Sequence, residues 1–258
     1  MNVVEKYSDM IRGCKLVEIP YLDLHLKNQN ENDDILIVGE RLASEGILQT
    51  VLERKYNKIV CTDIMELGKD SPLDKILKTN KKVSFKQEDF IESDETDKYE
   101  YIICINVLEH FGMNFNEFSG FSGMLAGNDY IRWNHDLRAI KKMITLLNKN
   151  KTSKIIITVP AGPPVMTGDV NFENNFNDVT LETDGNLMPK LRRYDMFRIN
   201  LIKKMLHEDN LNLSESFYYS KNFNEWYDSD ISITTPQYSR VHDSMTPNAV
   251  WAFTITRN

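Results

Sequence analysis

Five short apolar runs, separated by stretches of helical periodicity, constrain this chain more than any other feature. DILIV (34–38), KIVCTDI (58–64), YEYIICINVL (99–108) and SKIIITVP (153–160) are nearly continuous, and KVSFKQEDF carries a shorter one. Such runs suit strands covered on both faces. Between them lie helical patterns: SEGILQTVLERKY (44–56), SPLDKILKTN (71–80) and NDYIRWNHDLRAIKKMITLLNKN (128–150). The second begins with Ser then Pro, a good helix start. The third repeats Ile131, Leu137, Ile140, Ile144 and Leu147 at three- and four-residue spacings. Strand and helix in alternation predict an α/β fold, a mostly parallel sheet with helices on both faces. Ligands of such sheets sit at the carboxyl ends of the strands, near the point where strand order reverses. The segments after 38, 63, 89, 108 and 160 are therefore where function is expected.

The 258 residues are expected to form a single domain in three parts. An N-terminal segment (1–33) packs on a core of 34–160, and 161–258 completes the sheet. In that last part, 194–209 reads as a helix, and 213–220 and 249–257 read as strands. Between those strands runs a long polar-aromatic loop with Trp226, Tyr227, Tyr238 and His242, the composition of a lid over a site.

Charge and composition exclude several classes. A net charge of −7 argues against a general nucleic-acid binder. No apolar run approaches the ~20 residues of a membrane span. The opening MNVVEKYSDMIRGC mixes charges and lacks the apolar core of a signal peptide. Cys14, Cys61 and Cys104 are scattered, without metal-ligand spacing, so no metal ligands are assigned and a cytoplasmic location is expected.

Four motifs fall at the expected ligand edge. Gly39 follows the first strand directly and allows a sharp turn against a ligand. The helix after it points its N-terminus at the same place, a favourable position for a carboxylate or phosphate. Asp63 ends the second strand 24 residues later, placed to accept ribose hydroxyls. Asp89 and Phe90 follow the third strand, an acid for an adenine amino group and a ring to pack on it. NVLEHF (106–111) follows the fourth and sets Glu109 and His110 at the strand's end, a combination suited to catalysis or substrate positioning.

In this order, these positions resemble the class I S-adenosylmethionine-dependent methyltransferases, over roughly residues 34–160. YEYIICINVLEHF is similar to that family's fourth strand, QEDF to its adenine-side acid and CTDI to its ribose-binding acid. The first motif departs from the pattern. In ILIVGERLASEG, Ile37 stands where the family has an acid, and Arg41 and Ala43 replace its second and third glycines. The resemblance implies a Rossmann-like, seven-stranded sheet with an antiparallel last strand, and S-adenosyl-L-methionine as cofactor. Gly39, Glu40 and Arg41 would hold its methionine end, Asp63 and Ile64 the ribose, and Asp89 and Phe90 the adenine. Asn106 and Val107 would lie under the sulfonium. His110, beside Glu109, is the candidate base for an acceptor hydroxyl. The implied activity is O-methylation of a small molecule or a sugar or glycan precursor. Arg192, Arg193 and Tyr194 are candidates for an anionic acceptor, and Trp226, Tyr227, Tyr238 and His242 for an aromatic lid. The alternative is a binding or scaffold protein on the same fold, its cofactor site decayed, for which Ile37, Arg41 and Ala43 speak.

Overall fold

All five apolar runs form strands in the computed structural model, which describes residues 13–39, 45–112, 134–162, 193–220, 225–234 and 249–258. They are β1 (Asp34–Val38), β2 (Lys58–Asp63), β3 (Val83–Gln87), β4 (Tyr101–Ile105) and β5 (Lys154–Pro160). The helices are α1 (Lys15–His25), α2 (Glu45–Leu52), α3 (Pro72–Thr79), α4 (His135–Leu146) and α5 (Met196–Glu208). Strands β6 (Leu211–Ser220), β7 (Trp226–Ser229) and β8 (Ala249–Arg257) complete one sheet, in the order β3-β2-β1-β4-β5-β8-β6-β7. The first five run parallel. β8 is antiparallel to both β5 and β6, as expected of the last strand. Strand order reverses between β1 and β4, so the carboxyl ends of those two strands frame the ligand crevice.

The strand beyond the seven expected is β7. It lies within the stretch read from sequence as a continuous loop and pairs with β6 as a hairpin, Trp226 opposite Ser220 and Tyr227 opposite Tyr219. Its four residues are at most half-buried, so the apolar run that marks the other strands is missing.

Each strand sends alternate side chains to opposite faces. Leu36 and Val38 pack with α4 and α5, and Ile35 and Ile37 with α1, α2 and α3. Ser71 caps α3 by accepting a hydrogen bond from the Asp74 amide at 3.1 Å, and Pro72 occupies the first turn, as the Ser-Pro pair predicts. On the α4–α5 face, Trp251 of β8 stacks on Phe253 at 4.0 Å and donates from Nε1 to Glu215 on β6 at 2.9 Å. The α1 helix was not legible in the sequence because Pro20 sits inside it, where proline removes a backbone donor. Burial of Val17, Ile19, Tyr21 and Leu22 offsets that loss.

At the end of α1, His25 packs on the Tyr21 ring at 4.4 Å. Burial, helped by Lys154, pushes its imidazole down to about 4. The unfolded chain, titrating near 6.5, therefore binds the extra proton between pH 6.5 and 4. Stability is then full above pH 6.5 and falls as the pH drops through that window. Allowing for solvent screening at a partly exposed ring, the loss is about 1 to 2 kcal/mol. Urea unfolding at about pH 7 and about pH 4.5 checks this, since His25→Gln should flatten that part of the profile.

Candidate functional site

The carboxyl ends of β1, β2 and β4 bring Gly39, Asp63, Ile64, Asn106 and Val107 to one edge. Gly39 leaves β1 at φ +80, a left-handed conformation that glycine adopts without penalty. Its amide donates to the Thr62 carbonyl at 2.7 Å, tying the turn to β2. A Cβ on Gly39 would stand 2.3 Å from Cγ1 of Val107, so the absence of a side chain also permits this contact between the β1 and β4 ends. Asp63, half-buried, accepts the Met65 amide on Oδ1 at 2.9 Å, which fixes the carboxylate in an Asx turn at the end of β2. Ile64 beside it is exposed.

Asn106 ends β4 at φ +55. A non-glycine residue in this region carries on the order of 1 kcal/mol of strain, and asparagine tolerates it best. Its amide donates to the Thr158 carbonyl on β5 at 3.0 Å, so the strained position is fastened from the neighbouring strand. The chain then turns into a short 3-10 helix, Leu108–His110, closed by the His110 amide on the Val107 carbonyl at 2.9 Å. That turn separates the two functional candidates. Glu109 is buried, 2% exposed, while about a third of the His110 side chain is accessible. His110 Nε2 lies 3.9 Å from Glu109 Oε1. Burial raises the Cys104 thiol most, and Glu109 raises it further. The burial of Glu109 sets it back from the accessible side on which His110 stands.

Other candidates are placed differently from expectation. Phe90 is buried in the core, edge-on to Phe111 at 6.2 Å, while Asp89 is exposed and turns its Oδ1 to the Ile91 amide at 3.0 Å. Tyr194 is fully buried and donates its hydroxyl to Asp136 at 3.1 Å, so it is a core residue and not an acceptor contact. Arg193 is 5% exposed, and burial lowers its pKa, again unlike a surface grip for an anion. Trp226 and Tyr227 ride on β7, four strands from β4, roughly 19 Å at the usual spacing. That distance removes both from a lid over the β1–β4 crevice. Glu40, Arg41, Arg192, Tyr238 and His242 lie outside the described residues.

Two groups were missed by sequence reading. One is Asp136 of α4, which also accepts from Arg198 of α5. The other is a cluster under α1. Glu18 is fully buried, accepts the Thr158 hydroxyl at 3.0 Å and pairs with Lys15 at 2.8 Å. Thr158 is the residue whose carbonyl fastens Asn106, so this cluster adjoins the crevice. Neither group has a local sequence signature, since the partners lie 62 and 140 residues apart.

No protein-family model matches the chain, and no curated protein matches it. Solved structures do. A 1,6-didemethyltoxoflavin-N1-methyltransferase of Burkholderia thailandensis, with bound 1,6-didemethyltoxoflavin and S-adenosylhomocysteine, superposes with TM-score 0.54 at 10% identity, over 98% of this chain and 82% of that one. An S-adenosylmethionine-dependent methyltransferase of Clostridium acetobutylicum gives 0.51 at 12% identity, over 99% and 98%. The [4+2]-cyclase SpnF gives 0.51 at 10% identity, over 93% and 81%. The chain thus has the Rossmann-like fold of the S-adenosylmethionine-dependent methyltransferases.

Proposed function

We propose that this protein is an S-adenosylmethionine-dependent methyltransferase acting on a small molecule, with a hydroxyl of a metabolite or sugar precursor as the acceptor. The observation that carries this reading is the junction of Gly39 and Val107 at the strand reversal, with Asp63 fixed on the adjoining strand end. The residues suit the cofactor. Gly39 leaves backbone free to approach its methionine end, and Asp63 presents a carboxylate, oriented by the Met65 amide, to the ribose hydroxyls. Ile64 offers an exposed apolar side chain beside it. Asn106 and Val107 form the floor at the β4 end.

S-adenosylmethionine supplies an electrophilic methyl group on a cationic sulfonium. The protein's part is to align an acceptor with it and to exclude water. His110 is the candidate base, the more accessible member of the Glu109–His110 pair, and an imidazole can take a hydroxyl proton near neutral pH. A small-molecule acceptor also fits the Burkholderia enzyme of the same fold, which binds 1,6-didemethyltoxoflavin together with S-adenosylhomocysteine.

Calorimetric titration with S-adenosylmethionine tests the reading. The folded chain should bind it, and Asp63→Ala should weaken binding about tenfold or more, the usual effect of losing hydrogen bonds to a charged group. A folded chain that takes up no cofactor would favour the second reading, a scaffold on a decayed site, to which Ile37 in the position of the family's acid lends weight.

A further inference from the structure

The degenerate turn after β1 raises a question about the amino-acid end of the cofactor. Two of the three glycines that would let backbone amides close on it are replaced, and Ile37 stands where a β1 acid is expected. Ile37 packs in the same cluster as Cys14 and Val17 of α1. On that face α1 adds a charged pair, Lys15 and Glu18, near the carboxyl end of the sheet.

The arrangement is specific. Glu18 is 0% exposed and is held by the Thr158 hydroxyl at 3.0 Å. It fixes the Lys15 ammonium at 2.8 Å, one turn earlier on the helix. Burial would lower the Lys15 pKa, but the carboxylate of Glu18, with a smaller contribution from Glu109, outweighs it and the pKa is raised, so the ammonium stays charged. The contact with Glu18 is an ion pair, and an ammonium carries three donors. About a fifth of the Lys15 side chain remains accessible, whereas both flanking carboxylates are closed off. Through Thr158, the pair is one residue from the amide contact that fastens Asn106. Beside the crevice, the accessible charge of this cluster is therefore an ammonium flanked by buried carboxylates. Its complement is a carboxylate.

The geometry points to Lys15 as the residue that binds the carboxylate of the cofactor's amino-acid end, with Glu18 as the positioning residue that aims it. This inference rests on the proposed function. It assigns to α1 the anchoring that the altered β1 turn no longer supplies by backbone alone.

The test compares S-adenosylmethionine with its decarboxylated form, which keeps the sulfonium, adenosine and amino group but lacks the carboxylate. Calorimetric titrations are run on the full chain, Lys15→Met, Lys15→Arg and Glu18→Gln, each checked for folding by circular dichroism. The expected result is that Lys15→Met weakens S-adenosylmethionine about tenfold or more, a charge-assisted contact being lost. It should leave the decarboxylated ligand within about twofold. Lys15→Arg should restore part of the loss, and Glu18→Gln should reproduce a smaller share of it with the same ligand dependence. Equal losses for both ligands would overturn the inference, because α1 would then support the site without touching the carboxylate. Unchanged binding by Lys15→Met would overturn it as well. If the intact chain binds neither ligand, the methyltransferase reading itself fails and this inference with it.

Discussion

Replacing Asp136 by alanine should lower the melting temperature by about 10 °C. Asp136 is fully buried on α4 and accepts from the Tyr194 hydroxyl at 3.1 Å and from Nε of Arg198 at 3.0 Å, with a second contact to Nη2. It also accepts from the Leu137 amide at 2.8 Å. Burial would lower the Arg198 pKa, and Asp136, with smaller contributions from Tyr194 and Asp195, more than reverses that, so the carboxylate compensates a largely buried guanidinium. Removing one member of a buried pair leaves the other charge desolvated, at about 3 to 5 kcal/mol. In a chain of this size, each kcal/mol corresponds to about 2 to 4 °C. The double variant Asp136→Leu with Arg198→Met should recover much of the loss, because an apolar pair of similar volume carries no such penalty. A thermal scan in which Asp136→Ala shifts the midpoint by under about 3 °C would show that α4 and α5 are not joined through this pair.

Gly39→Ala is expected to reduce cofactor binding at least about tenfold, while the chain still folds with a melting point lowered by a few degrees. Two effects add. At φ +80 an alanine is strained by about 1 to 2 kcal/mol. Its Cβ would also stand 2.3 and 2.5 Å from the Val107 methyls and 2.9 Å from Val107 Cβ. The contact reaches Val107 Cβ as well as its methyls, so a rotamer change alone does not relieve it and either the β1 turn or the β4 end must shift. Misplacement of about an ångström at such a site can lower rates about a hundredfold. Val107→Ala should not rescue the variant, because the Cβ contact persists. Val107→Gly should rescue it in part, leaving only the φ strain. Calorimetry on the three variants checks this ordering, and wild-type affinity in Gly39→Ala would remove Gly39 from the cofactor site.

The parallel half of the sheet could be read from sequence because each strand at its centre is buried on both faces. β4 has all five residues buried and β5 six of seven, so an apolar run was the expected signal. The turn at Gly39 and the strand-end place of Asp63 were legible for a similar reason, since both depend on local backbone. What escaped detection depends on distant partners. α1 hides behind Pro20, and its buried Glu18 meets a hydroxyl 140 residues away. β7 is too short and exposed for any pattern. Tyr194 and Arg193 looked like surface groups because LRRYD is polar, yet Tyr194 is tied to Asp136, a partner visible only in three dimensions. Glu109 and His110 adjoin in sequence and were assigned one task, but the 3-10 turn sends one inward and leaves the other accessible.

The place of β8 bears on how the molecule is made. It lies between β5 and β6, bonded to both along most of its length, so β6 has no neighbour on its β5 side until residues 249–257 arrive. During synthesis the five parallel strands can gather first, while the β6–β7 hairpin waits with one long edge unpaired. Unpaired edges of this kind recruit other chains. The interval between translation of Ser220 and of Arg257 is therefore when a nascent chain of this protein is most exposed to aggregation, and when a ribosome-bound chaperone would have most to protect.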